Sequence, residues 1–272
     1  MSININGNLL SSGFTTNSNI LNTDVITNGL LLWYDAGNTY SYPPSAPGNY
    51  YDCGYGCQYY ASDPGCSSCS TRILDMSGNA LDGTATAMSV SYNTTTGGGA
   101  LYFNGSTYKV LMNGLRAKCT TSITWNLWMN HTTNVTEAEG IFGNLRTVLY
   151  LYTGATYYSL QYQCYFSDFS ITGPSINNLS NNVWYNITLV EDYSGGNTTI
   201  TAYLNGTYYS TYNGTGKYPI YYAGAEFYLG YDNSAAQYRY GGYIGPFMVY
   251  DRALSAQEVA QNYNAIKPRY GI

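Results

Sequence analysis

Four cysteines crowd one short stretch as Cys53, Cys57, Cys66 and Cys69, with the spacing C-x3-C-x8-C-x2-C. Thiols at that density have three uses: two disulfides stapling a loop too polar to pack alone, a four-cysteine zinc site, or free thiols. The first spacing and the eight-residue spacer suit zinc poorly, so paired disulfides are the favoured reading and zinc the alternative. Cys119 and Cys164 then either form a disulfide with each other across strands or stay as buried thiols. Asp75, Asn79 and Asp82 place hard oxygens close together in one turn, the donor set calcium takes. Asp and Asn at such positions also bond their own backbone and build the turn without metal, which is the favoured reading. No cofactor is required by either arrangement.

Acid–base chemistry has little to work with. Glycoside hydrolysis needs two carboxylates roughly 5 to 10 Å apart, and Glu137 and Glu139 would share one face of a strand. Their setting, Asn134-Val-Thr-Glu-Ala-Glu-Gly140, reads instead as a strand-to-turn edge. The single histidine, His131, and the absence of a G-x-S-x-G elbow argue against a catalytic triad. No catalytic residue is assigned.

Tyrosine is the abundant reagent, at 34 residues against 7 Phe and 4 Trp. Its rigid, amphipathic ring serves sugar stacking and protein contacts alike, at small cost in side-chain entropy. Alternation along a strand sends about half of the strand tyrosines inward. The candidates for carbohydrate or partner contact are Tyr55, Tyr59 and Tyr60 in the cysteine stretch, with Tyr157, Tyr158, Tyr231 and Tyr238.

The elements that must position these residues are short strands. Ile123, Trp125, Leu127 and Met129 alternate with polar neighbours and Trp128, as a half-buried strand does, and so do Val183, Tyr185, Ile187 and Leu189. Asn205-Gly206 suits a type I′ hairpin turn. Phe103 before Asn104-Gly105, Phe227 to Leu229, and the alternation Tyr243, Gly245, Phe247, Val249 add further strands. One helix closes the chain, with Ser255 and Glu258 as a capping box, Leu254 and Val259 as its staple, and Tyr263 and Ile266 continuing the apolar stripe. Residues 1–28, rich in Asn, Ser and Thr, read as an extended arm, and residues 43–72 as a cysteine-rich insertion.

Composition excludes several functions. Charged residues make up 9% of the 272, with 10 Lys+Arg against 15 Asp+Glu and a net charge of −5. Such a surface does not neutralise phosphates, so nucleic acid is not an expected partner. The longest apolar runs, Leu30 to Tyr34 and Val148 to Tyr152, are too short to span a bilayer, so no membrane insertion is expected. The first basic residue is Arg72, so a signal peptide's positive n-region is missing. This suggests release by some route other than secretion.

Several segments resemble a known family. Gly29-Leu-Leu-Leu-Trp-Tyr-Asp-Ala-Gly-Asn38 with Ser41-Tyr-Pro43 is similar to the opening strand of concanavalin A-like, laminin-G-like jelly rolls. Asp75-Met-Ser-Gly-Asn79 with Asp82-Gly-Thr84 resembles the turn that follows it. Leu101-Tyr-Phe-Asn-Gly-Ser106, Trp184-Tyr-Asn-Ile-Thr-Leu-Val190 and Ala202-Tyr-Leu-Asn-Gly206 match later strands. The ending from Tyr250-Asp-Arg-Ala-Leu-Ser255 to Lys267-Pro-Arg-Tyr-Gly271 is similar to laminin-G-like domains in virion proteins of tailed phages and other large DNA viruses. The resemblance spans about Gly29 to Ile272. It implies an all-β, two-sheet antiparallel jelly-roll sandwich over 29–272 with one short C-terminal helix. It further implies sugar binding, adhesion and, in virions, decoration or fibre parts. With the N-terminal arm and the tyrosine-rich faces as contacts, the expectation is a virion-surface or appendage subunit with a host-glycan adhesion role, partnered by itself as a homo-oligomer and by other virion proteins. An architectural subunit without sugar binding is the alternative, and a secreted lectin or glycosidase relative the third reading. The E-x-D-x-x-E strand pattern of the similar β-glucanases does not occur here.

Overall fold

The computed structural model describes residues 4–5, 8–9, 25–38, 41, 50–52, 58–60, 71–86, 99–119, 122–132, 138–144, 147–153, 157–167, 171–217, 225–233 and 238–272. Two antiparallel sheets form the sandwich. Its strands in chain order begin with β1 (Leu30–Tyr34), β2 (Thr71–Ile73), β3 (Gly83–Thr86), β4 (Leu101–Asn104), β5 (Lys109–Met112), β6 (Ile123–His131), β7 (Glu139–Gly143) and β8 (Thr147–Thr153). They continue with β9 (Tyr158–Tyr165), β10 (Ile171–Thr172), β11 (Ser175–Leu179), β12 (Tyr185–Ser194), β13 (Asn197–Leu204), β14 (Thr207–Gly214), β15 (Phe227–Leu229) and β16 (Gly241–Tyr250). The first sheet runs β14-β13-β12-β6-β16-β1, with β4 also on β16. The second runs β10-β9-β8-β7-β15-β5-β3-β2, with β11 on β9. Two further strand pairs form two-stranded sheets of their own. Asn4–Ile5 pairs with Asn8–Leu9, and Tyr50–Asp52 with Gln58–Tyr60.

The alternating residues fill the space between the sheets. Trp125 packs on Phe142 and Phe227 with ring centroids 4.9 Å apart, and Phe247 joins them. The β13–β14 hairpin turns at Asn205 and Gly206, whose φ angles of 51° and 73° are the pair a type I′ turn demands. In β16 the expected phase does not hold throughout. Leu127 pairs with Phe247 but Met129 pairs with Ile244, so two β16 residues, Gly245 and Pro246, oppose the single Trp128 of β6. Proline has no N–H for the ladder, and past this bulge Ile244 points inward while Tyr243 does not.

The half-buried reading of β6 is also corrected: all nine of its residues are buried. The cause is the C-terminal helix α1 (Ala256–Ile266) and the 3-10 turn Lys267–Tyr270, which cover the outer face of the first sheet. Trp128 stacks against Tyr263 and Tyr270, with centroids 5.6 and 4.3 Å away. The capping box of Ser255 and Glu258 forms as expected, and Leu254 and Val259 are buried beside it. Val25 belongs to this same cluster, and the Ile26 N–H donates to Asn262 Oδ1 at 2.8 Å, so residues 25–28 dock on the fold although they read as part of the arm. The Arg269 guanidinium grips Asp35 through two bonds of 2.7 and 3.0 Å, tying the chain end to the end of β1.

Two carboxylates lie between the sheets. Glu139 on β7 meets His131 Nε2 at 2.9 Å and accepts the Gly241 N–H at 2.6 Å. His131 Nδ1 lies 2.6 Å from Asn181 Oδ1, and its ring meets Tyr158 edge-on. Glu191 on β12 accepts the Trp125 indole N–H at 2.9 Å and the Tyr162 hydroxyl from the opposite sheet. A buried carboxylate is tolerated only when its oxygens have donors, and here those donors come from both sheets. Among the described residues, no helix is long and apolar enough to cross a membrane.

Candidate functional site

The helix covers one outer face of the sandwich; among the described residues, no helix covers the outer face of the second sheet. Leu149 and Leu151 of β8 point into the core, so Tyr150 and Tyr152 point outward. The same alternation turns Tyr228 of β15 and Lys109 of β5 outward, since Phe227, Leu229, Val110 and Met112 are core residues. A segment after β15 folds back onto this face. Tyr231 bridges Arg239, and the Asp232 N–H donates to the Tyr238 carbonyl at 2.9 Å. Gly140 lets the segment lie close, because a Cβ there would sit 2.6 Å from the Asp232 backbone nitrogen. The Tyr150 hydroxyl donates to Asp232 Oδ2 at 2.7 Å and fixes it in place.

The result is a strip of rings with a charged end. Tyr150 lies 5.9 Å from Tyr152 and 5.8 Å from Tyr238, the latter edge to face. Tyr152 is 40% exposed. At the other end Tyr228 meets Tyr231 edge-on at 5.4 Å. Lys109 Nζ stands 4.4 Å from the Tyr231 ring centre and 5.0 Å from that of Tyr228, and the Arg239 guanidinium stands 4.7 Å from Tyr231. Burial and the neighbouring Arg239 both push the Lys109 ammonium below its ordinary pKa. Burial raises Tyr231 and Tyr152; Arg239 opposes the rise at Tyr231, and a hydrogen bond from Gln163 opposes it at Tyr152. Tyr228 and Tyr238 are half-buried and Tyr150 and Tyr231 are buried, so Tyr152 offers the most open ring of the strip. An exposed ring with hydroxyls and two cations beside it can stack on and hydrogen-bond to a polar, ring-shaped ligand.

Of the residues singled out in the sequence, Tyr231 and Tyr238 come together in this strip, Tyr238 half-buried and Tyr231 buried beside the two cations. Tyr157 is exposed at 53%, just before β9. Tyr158 is a correction: it takes the inward phase of β9 and lies buried against His131, so it meets no external partner. Tyr59 and Tyr60 fall in the small strand Gln58–Tyr60. Tyr55, Cys53, Cys57, Cys66, Cys69 and Glu137 lie outside the described residues. Cys119 and Cys164 are not joined; both are free, buried thiols, and burial pushes each thiol pKa up. Glu139 is sealed between the sheets rather than set in a cleft.

The Asp75 turn is held by protein donors. Asp75 Oδ1 accepts the N–H groups of Trp33 and Ser77, each at 2.9 Å, and Oδ2 accepts the Ser77 hydroxyl at 2.7 Å and the Leu81 N–H at 3.1 Å. Asp82 Oδ1 accepts the Asp75 N–H at 2.7 Å, and the Asn79 amide donates to the Leu30 and Leu31 carbonyls. These bonds bind the turn to β1. Among the described residues, no group of three or more His, Cys, Asp or Glu side chains is arranged to hold a metal ion.

Lys109, Arg239, Asp232, Tyr150, Tyr152 and Tyr228 were not picked out as site residues from the sequence. Cation–tyrosine neighbours such as Tyr108-Lys109 and Tyr238-Arg239-Tyr240 are no usable signal alone, since Lys217-Tyr218 and Arg269-Tyr270 have the same pattern.

Two antiparallel sheets packed face to face, with one outer face under a helix and the other open and aromatic, define a lectin-like jelly roll. The model of the concanavalin A-like lectin/glucanases superfamily matches residues 103–260. That is more than half of the chain, which therefore belongs to this superfamily. No curated protein sequence matches the chain. Among solved structures it is similar to domain 4 of AbnA, an extracellular GH43 arabinanase from Geobacillus stearothermophilus in complex with arabinotriose. The identity is 16% and the TM-score 0.54, over 86% of this chain and 98% of that one. It is also similar to the receptor-binding domain of botulinum neurotoxin mosaic serotype C/D, at 12% identity and TM-score 0.56, over 88% of this chain. The chain spans 51% of that toxin fragment's length. A Trypanosoma rangeli sialidase mutant with trans-sialidase activity matches at 13% identity and TM-score 0.55, over 90% of this chain and 34% of its own. At these identities the likeness is one of fold.

Proposed function

We propose that this protein is a saccharide-binding module without catalytic activity, and that it binds through the outer face of the second sheet. The observation that carries this reading is the strip from Tyr152 and Tyr150 through Tyr238 to Tyr231 and Tyr228, with Lys109 and Arg239 at one end. An aromatic face stacks on the C–H face of a sugar ring, while hydroxyls and cations at its rim take the sugar's oxygens. The fold supports the reading. Arabinotriose is bound in the arabinanase domain structure, and the toxin domain is named as receptor-binding. Against catalysis, Glu139 is buried and bonded to His131 and Gly241.

The biological setting that best fits the sequence resemblance is the surface or an appendage of a virion, where the module would adhere to host glycans as part of a homo-oligomer joined through the N-terminal arm. A low-charge surface offers little repulsion between copies. A glycan array probed with the purified chain tests the binding reading. Retention of a defined set of saccharides is expected, and retention of none would contradict it. Mass photometry of the chain with and without its first 24 residues tests the assembly. The arm-dependent oligomer predicts a fall to monomer on truncation, and an unchanged mass contradicts it.

A further inference from the structure

The cation pair at Tyr231 bears on which saccharides the open face takes. Lys109 and Arg239 both lie within 5 Å of one ring centre. Among the described residues, neither has a carboxylate within ion-pair distance. The carboxylate closest in sequence, Asp232, is buried and accepts the Tyr150 hydroxyl. Two like charges held together without a counter-ion raise each other's cost; burial first, and Arg239 second, lower the Lys109 pKa. Two other cations do have carboxylate partners, Arg252 with Glu258 and Arg269 with Asp35.

We propose that the ligand is an acidic saccharide, with a sugar carboxylate seated on Arg239 and Lys109 and an adjoining sugar ring stacked on the tyrosines toward Tyr152. This rests on the saccharide reading above. A guanidinium that stacks its face on a tyrosine keeps its N–H edge free for a two-point bond to a planar carboxylate, and the lysine adds a point charge. A neutral sugar would leave both cations unpaired. A sulfated sugar offers the charge without the planar two-oxygen match.

Calorimetric titration of the full chain tests this with two matched pairs, sialyllactose against lactose and trigalacturonic acid against its methyl ester, with a heparin tetrasaccharide as the sulfated probe. The acidic member of at least one pair should bind about tenfold or more tightly than its neutral partner, a difference of about 1.4 kcal/mol. The preference should shrink as salt rises. Lys109→Gln with Arg239→Gln should bring the acidic member down to the neutral one's affinity. Arg239→Lys, which keeps the charge and removes the fork, should lose part of the preference. Melting curves confirm that each variant is folded, and the wild-type comparison stands without them. Equal affinities within both pairs would overturn the acidic-ligand inference and leave the saccharide reading standing. Tighter binding of the heparin probe with no carboxylate preference would overturn the carboxylate assignment. Binding of no neutral or acidic probe, together with an empty glycan array, would sink the saccharide reading itself.

Discussion

His131 and Glu139 show what single residues do in this interior. The imidazole faces an oxygen at each nitrogen, Asn181 Oδ1 and Glu139 Oε1, while Glu139 takes its other bond from the Gly241 N–H. Removing one member of such a buried pair leaves the other without its partner, which typically costs 3–5 kcal/mol. His131→Ala should therefore lower the unfolding free energy by about 3 kcal/mol or more in urea titration; a loss under about 1 kcal/mol would contradict the pairing. At this scale the sequence was partly readable. It singled out tyrosine, and Tyr231 and Tyr238 among them, but it took Tyr158 for a contact. The inward phase of β9 depends on its pairing with β8 and on the packing of the Tyr158 ring against His131, which local patterns do not contain.

At the scale of elements, the C-terminal helix and the folded-back segment after β15 decide which face is open. The helix start rests on Glu258. The Arg252 guanidinium, at 2.5 and 3.0 Å, and bonds from Ser255 hold the Glu258 carboxyl down to about 2, against burial, from an ordinary 4.5. A carboxyl whose folded-state pKa is depressed stabilises the fold above its unfolded pKa and loses that contribution as pH falls through the folded value. Wild type should thus melt above Glu258→Gln at pH 6, and the gap should close between about pH 4.5 and 2. A gap that persists at pH 2 would contradict this. The folded-back segment depends on Gly140. Gly140→Val should displace Asp232, free the Tyr150 hydroxyl and weaken saccharide binding several-fold, as read by calorimetry; unchanged binding would show that the segment's seat does not matter. The capping box, the Asn205-Gly206 turn and most strands were legible because their signals are local. Burial of β6 on both faces was not, since the cover comes from a helix more than a hundred residues later.

Across the whole molecule, the tyrosine excess divides by face. Tyr34, Tyr158, Tyr162 and Tyr240 serve the space between the sheets, Tyr250, Tyr263 and Tyr270 the seam under the helix, and Tyr150, Tyr152, Tyr228, Tyr231 and Tyr238 the open face. The sandwich and its superfamily were legible from ordered motifs along the chain. Which sheet presents the functional face was not, because it depends on where the helix lands. The central claim is that this face binds saccharide through the exposed ring of Tyr152 and the half-buried ring of Tyr238. Calorimetric titration of a saccharide retained on the array into wild type and into Tyr152→Ala with Tyr238→Ala tests it most directly. Two lost stacking contacts, each about 1 kcal/mol or more, predict an affinity at least about tenfold weaker at an unchanged melting temperature. An unchanged affinity in that variant would contradict the account.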